Sequence, residues 1–346
     1  MEEISRIGMD TSKHVFQVHG VNAAGEVVLR RRFRRGEVAR FFAGLHPVVV
    51  GMEACGGSHY WARVLGDLGH EVKLLAAQLV KPYVKRNKND AADAEAICEA
   101  MGRASMRFVA VKTAEQQASL MLLGLRNRLV RERTRLGNRI RGYAGEFGYV
   151  ASLGTSKIDA LLARLEADEE LPELAREMFA VLGRQYATNE VELGDLERRL
   201  KRWQRTNEPA RRVAMIPGIG PVTSAHLVIK APDPGAFASG RDFAAWLGLT
   251  PKDHSTAGRR RLGGITRAGD ETLRSLLVLG ATAVIQQVRR GKGPAWPWLH
   301  ALVARKQPKL AAIALANKMA RIAWKLLVSG QSFAPARLQG AVAKAS

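Results

Sequence analysis

Two cysteines in 346 residues, Cys55 and Cys98, provide no disulfide framework and no zinc-type ligand spacing. That scarcity suits a reducing cytosol. No window approaches the run of about 18 uncharged apolar residues that a membrane-spanning helix needs. The opening MEEISRIGMD is not a cationic apolar leader either, so a cytoplasmic, non-membrane protein is expected. Acidic residues are scarce in one region only. Residues 201–346 hold 6 Asp+Glu against 24 Lys+Arg, whereas residues 1–200 hold 26 against 30. The formal net charge of +22 therefore belongs mostly to the C-terminal part. A surplus spread over such a length most simply neutralises phosphates, with binding that weakens steeply in salt. A solubilising surface and anionic-lipid binding are the blander alternatives.

What is present is ordinary for a globular protein: 47% hydrophobic and 25% charged residues, in a chain long enough for two or three domains. Residues 4–34 alternate apolar and polar through RIGMD, HVFQVHG and EVVLRRRF, with an Asn-Ala-Ala-Gly turn at 22–25, which predicts a three-stranded meander. A helix is expected at 37–45, a buried parallel strand at PVVVGME, a helix at SHYWARVLGDLGH and a further strand at EVKLLAA. Three antiparallel strands, helix, strand, helix, strand and then helices is the order of a ribonuclease H-like α/β fold.

From residue 113 the pattern becomes helical. Leu122, Leu129, Leu136 and Tyr143 recur every seven residues, and a second helical stretch spans 156–204. A long antiparallel helical pair is expected, either a coiled coil joining two subunits or two amphipathic helices packed within one chain. Further on, IPGIGPVTSAHL places Gly218 and Gly220 between two apolar helical segments. This is a helix-hairpin-helix signature whose backbone amides can approach a phosphate, unless it is a plain tight turn. More helices are expected within 241–290 and at 308–328, which makes the C-terminal part mainly α.

Four acids fall where this fold would gather them. Asp10 closes the first strand, Glu53 the strand after the first helix, and Asp90 and Asp93, in KNDAADAEAI, share one helix face at i and i+3. Carboxylates are hard ligands suited to Mg²⁺ or Mn²⁺, and paired ions can drive phosphodiester cleavage. Taken singly, each acid also reads as a turn former, a solvated strand end, a helix cap or a partner of the helix dipole. Lys13 and the run Lys85, Arg86 and Lys88 suit phosphates or solvent.

A second constellation lies in LGLTPKDHSTAGRRRLGGITRAGDETLRSLL. It combines Ser255 and Thr256 with Arg259, Arg260, Arg261, Arg267 and Arg274. A serine oxygen among guanidinium groups can attack a phosphodiester, because the guanidiniums bind phosphate oxygens and stabilise developing charge. With no general base evident, a loop that merely binds phosphate is the alternative.

Together, GMDTSK, GMEACGGSHYWAR, KNDAADAEAI, IPGIGPVTSAHL and the long Ser/Arg stretch resemble, in this order over about residues 5–330, the DEDD transposases of bacterial insertion sequences. This is the IS one-ten family, which includes Piv invertases and bridge-RNA-guided recombinases; the wording is most similar to its IS eleven-eleven subgroup. The resemblance implies a RuvC-like DEDD domain at 1–110, a helical coiled-coil linker at 111–205, a C-terminal serine transposase domain at 206–330 and a tail at 331–346. It implies Mg²⁺ held by Asp10, Glu53, Asp90 and Asp93, with Ser255 as nucleophile. Thr256 is the alternative, since Thr256 and Ala257 intervene before Gly258 where relatives carry Ser-Gly runs. It further implies donor and target DNA, a noncoding bridge RNA, and a homodimer or homotetramer with sites shared between subunits. The expected function is cleavage and rejoining of DNA. The rivals are a metal-dependent, structure-specific nuclease of the Holliday-junction kind and a non-enzymatic architectural nucleic-acid-binding protein.

Overall fold

Alternating side chains in the first 34 residues produce the expected meander of β1 (Arg6–Thr11), β2 (Val15–Val21) and β3 (Val27–Arg34). The computed structural model describes residues 3–84, 90–259 and 261–334. After β3 come α1 (Val38–Ala43), β4 (Val49–Glu53), α2 (Ser58–Asp67), β5 (Glu71–Leu75), the short α3 (Ala77–Val80), α4 (Asp90–Met101) and β6 (Phe108–Val109). The sheet order is β3-β2-β1-β4-β5-β6, with β1, β4 and β5 parallel and the remaining pairs antiparallel. β6 was not anticipated: two residues are too few to show an alternation.

The two faces of this sheet have different coverings. Ile7, Met9, Phe16, Val18, Phe33, Val50 and Met52 point into a core closed by Val38, Phe42, Trp61 and Leu65 of α1 and α2. On the opposite face Val49 and Leu75 pack with Ala96, Ile97, Ala100 and Met101 of α4. Every second residue of β1 and β4 thus belongs to the α4 side, and Asp10 and Glu53 are among them.

The chain divides into two compact units, Met1–Ala118 and Ser119–Ser346. The second is built around α5 (Ala114–Gly145), α6 (Ser156–Glu166) and α7 (Glu173–Thr206). The helical stretch expected at 156–204 is therefore two helices. Pro172 stands at the N-cap of α7, where a missing amide and a fixed φ suit a helix start and not a helix interior. α5 and α7 run antiparallel within the chain. Leu123 shares a core cluster with Leu200, Arg126 pairs with Glu197 at 2.7 Å, Arg133 pairs with Glu190 at 3.6 Å, and Leu136 and Ile140 pack with Leu182 and Tyr186. Tyr143 of the predicted heptad is 54% exposed.

α8 (Glu208–Ala214), α9 (Pro221–Lys230), α10 (Gly240–Trp246), the strands β7 (Pro251–Asp253) and β8 (Leu262–Ile265), α11 (Glu271–Arg289), α12 (Pro297–Arg305) and α13 (Pro308–Ser329) complete the unit. A core of Val213, Leu227, Phe243, Leu277, Leu315 and Met319 joins α8 to α13. Among the described residues no helix is long and apolar enough to cross a membrane.

One buried group carries a pH dependence. His226 on α9 has no exposure, and neither ring nitrogen has a hydrogen-bond partner among the described residues. Burial first, then the charges of Lys230 and Arg126, lower its pKa to about 4, against a weaker opposing pull from Asp270. The unfolded histidine takes its proton near 6.5, whereas the folded one refuses it until about pH 4. The resulting stability is present above pH 6.5 and is lost as pH falls towards 4, by up to about 3 kcal/mol. Thermal melts of the parent and His226→Leu between pH 7 and 4 should show the parent falling more steeply; parallel curves would refute the assignment.

Candidate active site

The acidic site is positioned by glycine. A Cβ on Gly8 would lie 2.2 Å from the Ala94 carbonyl oxygen and 2.5 Å from the Cys98 nitrogen, and one on Gly51 would lie 2.6 Å from Met101 Sδ. Bare glycines in the central strands β1 and β4 therefore let α4 lie directly on the sheet. Its N-terminal turn then falls beside the C-terminal end of β1.

Asp10, Asp90 and Asp93 each bring a carboxylate oxygen within 4.8 Å of the others. Asp10 and Asp93 are half-buried and Asp90 is exposed. Asp90 and Asp93 occupy the first turn of α4, where the helix dipole favours negative charge. Asp10 has no such support. Burial, then the charges of Asp93 and Asp90, raise its pKa to about 6, despite a hydrogen bond from the Thr11 amide; Glu53 adds the smallest contribution. Glu53 is thus within electrostatic reach of Asp10, but its carboxylate lies outside the 4.8 Å group. It ends β4, while Asp10 follows the paired row Met9–Met52 on the neighbouring strand. A contact of 3.3 Å between Oγ1 of Thr11, the last residue of β1, and Sγ of Cys55, just past β4, ties the two strand ends together.

The donor set fits a divalent cation. Three hard oxygen ligands face one another, and their mutual repulsion is what a dication would relieve. The exposed Lys13 lies in the β1–β2 turn close by. Lys85, Arg86 and Lys88 fall outside the described residues.

The second constellation belongs to the other unit and is built on a hairpin. β7 and β8 pair antiparallel, with a further bridge between Thr256 and Arg259. Ala257 and Gly258 both have positive φ, at 47° and 78°, which matches a hairpin turn of the primed kind. Ser255 is exposed, its amide donates to Asp253 Oδ1 at 2.9 Å, and its Oγ accepts from the Arg261 amide at 3.0 Å. Thr256, Arg259, Arg261 and Arg267 are also exposed, while Arg260 falls outside the described residues. Arg274 differs from these in burial. It is only 9% exposed and donates from one guanidinium nitrogen to the carbonyls of Leu247 and Ala268, at 3.2 and 2.7 Å. It braces the base of the hairpin.

Gly218 takes the left-handed conformation, φ 89°, and packs face to face with Gly280 of α11; a Cβ on Gly280 would lie 1.9 Å from the Gly218 carbonyl oxygen. Gly220 is the extended N-cap of α9. The glycines at this turn thus seat it on α11. Gly8, Gly51 and Gly280 escaped the sequence reading because the atoms that demand them come from distant segments, although the paired wording GMD and GME was a usable signal for the first two.

A mixed sheet with acids at adjacent strand ends, and more acids on the helix lying across them, fits a RuvC-like domain of a metal-dependent nucleic-acid enzyme. Comparison with known families agrees. Residues 7–146 match the DEDD transposase family of IS110, and residues 210–294 match the transposase family IS116/IS110/IS902. A Sinorhizobium fredii protein named as transposase y4pF/y4sB is 58% identical over 98% of this chain and 88% of its own. The transposase for insertion sequence element IS1328 of Yersinia enterocolitica is 39% identical over 96% of this chain and 99% of its own. That for IS1111A of Coxiella burnetii is 39% identical over 96% and 92%. The chain belongs to the IS110 family of insertion-sequence transposases, enzymes that cut and join DNA. Its DEDD domain implies use of a divalent metal.

If glycine is what seats α4, Gly8→Ala should cost about 1–3 kcal/mol by overpacking. It should also lower DNA cleavage far more than the loss of folded protein explains, because the helix that carries two of the acids must move. Parental melting temperature and cleavage rate in Gly8→Ala would show that the contact is dispensable.

Proposed function

We propose that this transposase cuts and rejoins DNA through a covalent serine intermediate, with Ser255 as nucleophile and Asp10, Glu53, Asp90 and Asp93 as ligands of Mg²⁺, for which Mn²⁺ can substitute. The convergence of Asp10, Asp90 and Asp93 within 4.8 Å is the observation that carries the reading. When bound, the ion supplies Lewis-acid stabilisation of charge developing on phosphate oxygens. The chain's own groups do the rest. Ser255 Oγ forms a bond to phosphorus as its hydroxyl proton leaves, the bond to the departing strand oxygen breaks, and that oxygen takes up a proton. Rejoining is the reverse reaction with a different strand end, and the phosphoserine linkage conserves the bond energy in between. Arg259 and Arg261, exposed beside Ser255, bind the phosphate oxygens in transit.

In the same reading the protein acts in the cytoplasm as a homodimer or homotetramer on donor and target DNA, and a bridge RNA supplies sequence choice by base pairing. Residues 1–110 form the DEDD domain, 111–205 the helical linker and 206–330 the serine domain. The turn at Gly218 and Gly220, with Lys13, Lys85, Arg86, Lys88, Arg259, Arg260, Arg261 and Arg267, provides phosphate contacts. A polymer that does its own base reading needs only backbone contacts from the protein, which suits the basic C-terminal region.

Two variants test this. Asp10→Asn should lower cleavage by on the order of a hundredfold or more while DNA binding is retained; parental cleavage would leave only an architectural role. Ser255→Ala should abolish a protein–DNA adduct that survives denaturing electrophoresis of the parent. Full-rate cleavage by Ser255→Ala, with no adduct in the parent, would instead establish the metal-dependent nuclease.

A further inference from the structure

Most of the basic surplus lies in the C-terminal region, yet the edge of the N-terminal sheet carries five arginines in six positions, Arg30, Arg31, Arg32, Arg34 and Arg35, all exposed. They fall into two groups. Arg31 lies over the rings of Phe33 and Phe41, at 4.8 and 5.7 Å, and Arg35 over Trp61 and Tyr60, at 5.1 and 5.8 Å. Arg30, Arg32 and Arg34 make no ion pair or ring contact among the described residues.

Strand register decides where these three point. Asp10 is opposite Gln17 and Gln17 is opposite Arg32; Gly8, His19 and Arg30 form the next row, and Val15 with Arg34 the row beyond. Cross-strand partners share a face, so Arg30, Arg32 and Arg34 stand on the Asp10 side of the sheet. Two strand spacings put the Arg32 backbone roughly 10 Å from that of Asp10. α4 covers only part of this face. His19 and Val21 of β2 are buried beside it, whereas Val15 and Gln17 are half-exposed, so the surface between the acids and Arg32–Arg34 is open. Lys13 lies in the turn at the same end.

We propose that Arg32, Arg34 and Arg30 form a phosphate-binding ledge that holds the nucleic-acid strand engaged at the acidic cluster, its backbone running from Asp10 across Gln17 and Val15 onto the β3 edge. The inference rests on the DNA-cleaving reading of that cluster. Alternate residues of a strand repeat every 6.7 Å or so, and free guanidiniums at that repeat suit successive phosphates of an extended backbone. The ligand chemistry is a phosphodiester strand; at a DNA-cleaving cluster that strand is DNA, and RNA is the other source, which the test separates. Charged edge strands also deter sheet-to-sheet pairing, a purely structural use of the same residues.

The test is the salt dependence of binding, measured with a labelled duplex DNA and, separately, an RNA of the same sequence. Each lost phosphate contact lowers the slope of log K against log salt by about 0.9 on duplex DNA and about 0.7 on a single strand, so Arg30→Gln/Arg32→Gln/Arg34→Gln should flatten it by about 2 to 3 for the polymer that lies there. Loss with DNA supports the ledge, and loss with RNA alone overturns its assignment to the strand at the acidic cluster. An unchanged slope for both overturns the ledge. A triple Glu variant keeps the edge charged: it should lose affinity more severely under the proposal, and parental affinity would leave only the anti-aggregation role. Cleavage by Asp10→Asn is read in parallel. Its loss beside a parental slope in the Gln variant defeats the ledge and spares the active site, whereas its persistence defeats the active-site reading.

Discussion

The close approach of α4 to the sheet is the contact on which the N-terminal unit depends. It is possible because Gly8 and Gly51 leave nothing between the β1 and β4 backbones and Ala94, Cys98 and Met101 of the helix. The small residues of the helix contribute from their side, with Ala94, Ala96 and Ala100 all buried. That contact forces three carboxylates together and works against the stability of the metal-free fold, since the raised pKa of Asp10 records burial and repulsion that folding must overcome. Such an arrangement is retained where a cation or a reaction uses it, which is the pattern expected of a functional site.

In the second unit, basic residues divide between structural and exposed uses. Arg126 and Arg133 join the antiparallel helices α5 and α7, Lys230 pairs with Asp270, and Arg274 braces the hairpin. Arg259 and Arg261 remain exposed beside Ser255, and Arg267 is exposed at the base of the hairpin. Regional net charge is therefore a coarse guide. It does not separate the buried Arg274 from the exposed arginines, and it hides the arginines of β3 among the many acids of the first 200 residues.

Much of the architecture was legible in sequence because its signals are local. Alternation predicted β1, β2 and β3, an apolar run predicted β4, and the acids stood out at strand ends. What escaped depends on partners far along the chain or on segments too short to show a period. β6 has two residues, β7 is exposed throughout, and the need for glycine at position 280 is visible only from Gly218. The heptad reading of α5 missed at Tyr143 for a geometric reason. A straight helix drifts by about 20° per heptad, so three heptads carry a residue in register with Leu122 towards the rim, while Ile140 and Ala144 take the buried face. Glu53 was named from its place at the end of β4, and the structure leaves its carboxylate apart from the other three acids.

The spacing between opposite charges on the α4 face follows from the sheet itself. An arginine on β2 opposite Asp10 would form an ion pair, lower the carboxylate's pKa and compete with a cation for its oxygens. Gln17 occupies that position instead, and the first arginine stands one strand further out. At roughly 10 Å, near the Debye length at physiological salt, its hold on Asp10 is weak. Burial, the Thr11 hydrogen bond and neighbouring acids account for the state of Asp10. The sheet thus keeps the carboxylates and the guanidiniums of one face apart, with Gln17 between them.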